Sequence, residues 1–103
     1  MNVQNKEDIF ARMAEHSSQL GSYGVERYGL FGSFVRSEQD QDSDVDILVE
    51  FRPDAKTFDN FMNLSFFLEE ILGRKVDIVT RESLSRYIGP NILAEIEYGV
   101  IDI

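Results

Sequence analysis

Between Asp8 and Leu20 the apolar positions are Ile9, Phe10, Met13, Ala14 and Leu20, a spacing that predicts a helix, with Asn5 placed to cap it and Gly21 to end it. Val25 to Phe31 favours a strand that stops at Gly32, where a polar stretch containing Arg36 suggests a turn or a helix start. Glu38 to Ser43 carry no apolar side chain and predict a solvated loop. The period then changes to two. In the run Asp44 to Phe51, Val45, Ile47, Val49 and Phe51 share one face of a second strand, and Asp44, Asp46, Leu48 and Glu50 share the other.

After the turn at Pro53-Asp54, Phe58, Phe61, Met62, Leu64, Phe67, Leu68, Ile71 and Leu72 return to helical spacing, and Gly73 stands where a C-capping glycine belongs. The aromatic stripe of Phe58, Phe61 and Phe67 suits core packing better than a base-binding pocket. Lys75 to Thr80 predicts a third strand, with Val76 and Ile78 inward and Asp77 outward. Ser83 to Ile88 predicts one or two helical turns. Gly89-Pro90 opens a last helix that runs through Leu93 and Ile96 to Gly99, and Val100 to Ile103 is a strand or an apolar tail.

With 103 residues and no internal repeat, the expectation is a single domain over 1–103 with one modest core, too small to carry a separate substrate domain. A large acceptor must then be held by a shallow surface, an oligomer or a partner. The absence of cysteine removes disulfides and thiolate metal sites, so any metal sits on oxygen. The formal net charge of −9 repels phosphate backbones, argues against stable nucleic-acid binding and suits a basic protein partner. No stretch approaches the roughly 20 apolar residues that span a bilayer, and the amino terminus lacks a signal peptide's apolar core. The expected location is the cytoplasm.

The acids have chemistry to offer. Alternate residues of a strand lie about 6.5 to 7 Å apart and point the same way, so Asp44 and Asp46 can converge on one or two cations. Magnesium takes oxygen ligands, commonly one or two carboxylates together with substrate phosphates, and Asp77 on a neighbouring strand can complete the set. In a two-metal reaction Asp77 is the natural base or ligand for an attacking hydroxyl. Asp40 and Asp42 read as solvated loop. Asp40 to Asp44 imitates the start of a calcium-binding loop, but Val45 replaces its sixth-position glycine and Phe51 its twelfth-position glutamate.

Gly32 and Ser33, at the end of the first strand, offer backbone N–H groups and a hydroxyl to phosphate oxygens. Arg36 can pair with a phosphate or with a carboxylate of the site. His16, the sole histidine, reads as a surface residue, and Tyr87 and Tyr98 as packing residues.

Gly32-Ser33, ten intervening residues, Asp44-Val45-Asp46 opening an apolar strand, and the later Val76-Asp77-Ile78-Val79 strand together resemble the DNA polymerase beta nucleotidyltransferase superfamily. The short length resembles its minimal nucleotidyltransferase (MNT) branch. The resemblance implies an α+β fold, a small mixed sheet flanked by helices. It also implies that Gly32 and Ser33 hold a triphosphate, that Asp44 and Asp46 bind magnesium, and that Asp77 is the third carboxylate. The group moved would be AMP from ATP, with two magnesium ions as cofactor. Members of this branch are often antitoxins that modify a tyrosine of a HEPN toxin, which makes such a toxin the expected partner and an assembly with it an open possibility. The family commonly has Arg-Gly where this chain has Arg36-Ser37, which puts the shape of that turn in question. Two alternatives stay open: an antitoxin that neutralises its partner by contact alone, and transfer to a small molecule, which usually needs an acceptor domain absent here.

Overall fold

The structure is a computed structural model that describes residues 2–83, 89–99 and 101. Four strands, β1 (Val25–Phe31), β2 (Val45–Phe51), β3 (Val76–Thr80) and β4 (Glu97–Gly99), form one sheet in the order β3-β2-β1-β4. β1 runs antiparallel to both β2 and β4, whereas β2 and β3 are parallel, so the sheet is mixed. Helices α1 (Lys6–Glu15), α2 (Ser17–Ser22), α3 (Ser33–Arg36), α4 (Phe58–Leu72) and α5 (Gly89–Glu95) flank it, giving the expected α+β architecture.

One face of the sheet carries the core. Tyr28 lies beside Val49 and Leu30 beside Ile47 in the antiparallel register, and these side chains meet Ile9, Met13 and Leu20 of the first two helices and Leu64, Leu68 and Leu72 of α4. All of them are buried, so the helices owe their placement to apolar stripes that leave water against this face. Local signals fix the helix ends. Asn5 caps α1 by accepting from the Asp8 N–H at 2.9 Å, and Thr57 caps α4 by accepting from the Asn60 N–H at 3.1 Å. Gly73, at φ +69, closes α4 in the left-handed region.

Several expectations from the sequence are corrected. The first helix is two helices, broken at His16, and Gly21 lies buried inside α2. His16 is half-buried rather than free on the surface: its Nδ1 lies 2.9 Å from the Arg12 carbonyl oxygen and its ring stands edge-on to Phe67 at 5.7 Å. β2 begins at Val45, whose N–H donates to the Lys75 carbonyl at 2.9 Å, which leaves Asp44 just ahead of the ladder. Leu48, expected on the polar face, is fully buried there.

The last helix is cut short as well. It ends at Glu95, and Glu97–Gly99 becomes a strand, because the otherwise open edge of β1 supplies hydrogen-bond partners that a continued helix would leave unused. Ile96 lies against the backbone of Gly29, where no side chain stands in its way. Phe58 does not pack in the core; it is 76 % exposed, while Phe67 packs against Tyr23 and the core as expected. Tyr98 packs under the Arg27 guanidinium, 3.9 Å from its ring centre. Tyr87, with most of the turn expected over Ser83 to Ile88 and of the tail over Val100 to Ile103, lies outside the described residues.

Candidate active site

The sequence-predicted residues gather where the end of β1 meets the start of β2. Phe31 is the register partner of Asp46, so the chain leaves β1 directly beside that carboxylate. Gly32 follows with φ +81 and ψ −152, and a Cβ built there would stand 2.2 Å from Asp46 Oδ2. An alanine would therefore meet both a disfavoured backbone region and the carboxylate; a glycine is what lets the chain pass this close to the acid. Ser33 then opens the short helix α3, anchored by the buried Phe34 and ending at Arg36.

Asp77 arrives from the other side. It is paired in register with Asp46 across the parallel β2–β3 ladder, on strands about 4.8 Å apart. Residues in register on adjacent strands project to the same side, so Asp46 and Asp77 face each other's surroundings while Val45 and Val76 sink into the core. Asp44 lies two residues before Asp46, with its Oδ2 4.0 Å from Lys75 Nζ. Arg36 donates through Nε to Glu38 at 2.7 Å and through its NH1 group to both carboxylate oxygens of Glu95 at 3.0 Å.

Asp46 is the acid whose ionisation this arrangement opposes. Burial, then the carboxylates of Asp77 and Asp44, push Asp46 up to about 6; Glu95 adds to the rise and Arg36 partly opposes it. A carboxyl whose ionisation is opposed by its neighbours is relieved by a cation. Among the described residues no three acids close round a point tightly enough to hold an ion unaided. That donor set fits magnesium, which ordinarily shares its shell between carboxylates, water and the phosphates of a substrate.

Two contributors carry no sequence signal. Glu95, about fifty residues beyond Asp46, sits at the end of α5, and its Oε2 accepts from the Gly32 N–H at 2.6 Å. Arg74 donates to the carbonyls of Val3, Asp40 and Ser43 at 2.8, 2.9 and 3.0 Å, tying down the acidic loop that leads into Asp44. Neither belongs to a motif; each is brought into place by the fold.

The turn after Arg36 is also settled. Ser37 has φ +59 and ψ +36, the left-handed conformation that glycine enters freely, and Glu38 N–H closes the turn on the Ser33 carbonyl at 2.9 Å. Phe51, Phe58, Phe61 and Thr80 line a cleft of about 380 Å³ at the opposite ends of β2 and β3. Five residues of strand separate Phe51 from Asp46, roughly 16 Å, so those aromatics do not adjoin the carboxylates.

The model of the nucleotidyltransferase domain family matches residues 11–102. The chain is 40 % identical over 99 residues to the protein adenylyltransferase MntA of Thermococcus cleftensis, covering 95 % of this chain and 99 % of the relative. A solved minimal nucleotidyltransferase superposes with a TM-score of 0.78 at 33 % identity, covering 91 % of this chain and 95 % of its own. A toxin–antitoxin structure with AMP-PNP shares the fold at a TM-score of 0.62 and 22 % identity, covering 80 % of this chain and 70 % of the other.

Proposed function

Because the chain belongs to the nucleotidyltransferase domain family, we propose that it moves AMP from ATP to a tyrosine hydroxyl of a HEPN-type toxin and thereby silences that toxin in the cytoplasm. One observation carries the site assignment: Gly32 brings its backbone against Asp46, and the ladder sets Asp77 beside the same carboxylate. A phosphate-binding turn and three acids at one corner of a sheet suit a reaction made of positioning and charge stabilisation. The adenylyl group follows from the likeness to a protein adenylyltransferase, and a charge of −9 favours a basic protein over a nucleic acid as partner.

In this reading the Gly32 and Ser33 N–H groups and Arg36 hold the triphosphate. Asp44, Asp46 and Asp77 would be the ligands of magnesium, which when bound neutralises phosphate charge and steadies the leaving group. The acceptor oxygen attacks the α-phosphorus, a new P–O bond forms, the bond to the bridging oxygen of the β-phosphate breaks, and pyrophosphate leaves. Asp77, exposed on its strand, takes the hydroxyl proton. Domain economy fits the scheme: one domain over 1–103 supplies the donor site and the partner supplies the acceptor.

The test is incorporation of label from α-labelled ATP into the co-expressed toxin. Asp44→Asn and Asp46→Asn should abolish both the label and the neutralisation. Neutralisation that survives both substitutions would identify a contact-only antitoxin, and label on a small molecule instead of a protein would overturn the choice of acceptor.

A further inference from the structure

Glu95 is the residue the proposed reaction leaves without a part, yet it occupies the centre of the site. Its Oε2 takes the Gly32 N–H at 2.6 Å, a short charge-assisted bond, and both its oxygens take the Arg36 NH1 group at 3.0 Å. These are two of the donors assigned to the triphosphate. A carboxylate bridging a turn N–H and a guanidinium uses them as a phosphate oxygen would, and the single Gly32 N–H, already given to Glu95, cannot serve a phosphate oxygen at the same time.

From this overlap we propose that Glu95 is an internal competitor of the nucleotide, a carboxylate that holds the phosphate-binding turn until the triphosphate displaces it. The inference rests on the nucleotide reading above and adds the residue that sets its affinity. The arithmetic is that of a pre-equilibrium: the nucleotide binds the fraction of molecules in which Glu95 has left the turn, and the observed dissociation constant rises in inverse proportion to that fraction. Two charge-assisted contacts, one of them to a half-exposed Arg36, are enough for an occupied-to-free ratio of about ten. Displacement has a structural consequence as well. Glu95 ends α5 and is followed directly by Ile96 and β4, so leaving the turn loosens the last turn of α5 while the β1–β4 pairing can persist.

The decisive measurement is binding of ATP, and of inorganic pyrophosphate without metal, to the full chain by titration calorimetry for the wild type, Glu95→Gln and Glu95→Ala. Far-UV circular dichroism and urea midpoints confirm that each variant is folded. The expected result is an affinity about tenfold higher in Glu95→Gln for both ligands, with Glu95→Ala at least as tight. Unchanged or weaker binding by both folded variants overturns the role of Glu95 and leaves the nucleotide reading standing. Binding of neither ligand by any form overturns both. Hydrogen exchange in the wild type supplies a second readout that needs no variant: saturating ATP should speed exchange across residues 89–95 while slowing it at 32–36, and slower exchange in both segments overturns the proposal.

Discussion

Removing the charge of Asp46 should stabilise the protein while destroying its activity, and the pH dependence of that gain tests the electrostatic account of the site. Asp46 ionises at about 6 in the fold against an ordinary value of 3.8, because it is half-buried and faces Asp77 and Asp44. Below the lower value the carboxyl is protonated in both folded and unfolded chains and costs nothing. Between the two values the unfolded chain ionises first, so stability falls as pH rises, and above about 6 the full penalty is present. A rise of about two units corresponds to roughly 3 kcal/mol, and half exposure to solvent reduces this to about 1 to 1.5 kcal/mol. Asp46→Asn, nearly isosteric and uncharged, should therefore gain about 1 kcal/mol at pH 8, a rise in Tm of about 4 to 8 °C for a chain of this size. The gain should shrink to about a fifth of that by pH 4 and vanish near pH 3. Urea unfolding followed by circular dichroism, in buffer with a chelator, measures it. An Asp46→Asn variant no more stable than wild type at pH 8, or one whose advantage is the same at pH 4, would refute the reasoning. Adding magnesium should stabilise the wild type more than the variant.

Gly32→Ala should cost about 1 to 3 kcal/mol in urea unfolding and abolish ATP binding in calorimetry, since its Cβ would stand 2.2 Å from Asp46 Oδ2 at φ +81. Ser37→Gly should do the reverse: relief of the left-handed strain at φ +59 outweighs the added freedom of the unfolded chain, for a net gain of roughly 0.5 to 1 kcal/mol by the same assay, with transfer activity retained. Arg74→Lys should keep the charge yet lose the fork that reaches Val3, Asp40 and Ser43 together. Its transfer rate should fall about tenfold, with faster hydrogen exchange at residues 40–44 as the independent check.

The sequence by itself determined the pieces whose physics is local. Helical periodicity from Phe58 onward with Gly73 at its end delimits α4, and the period-two run delimits β2 to within a residue. The spacing from Gly32-Ser33 to Asp44 and Asp46, with Asp77 on a later strand, named the acids because such a pattern is costly to keep beside a core without a cation. Tertiary structure decided everything that depends on which edges and faces meet. β4 exists because β1 had a free edge, against the helical pattern of its own residues. Leu48 is buried on the face opposite the core, beside Gly29 and the Ile96 side chain that lies against it, which alternation along one strand cannot reveal. Gly32 is required by a carboxylate fourteen residues away, and Glu95 and Arg74 enter the site from distances at which no spacing rule operates. Periodicity reports a residue's relation to its own helix or strand; long-range hydrogen bonds and electrostatic coupling exist once the chain has closed on itself.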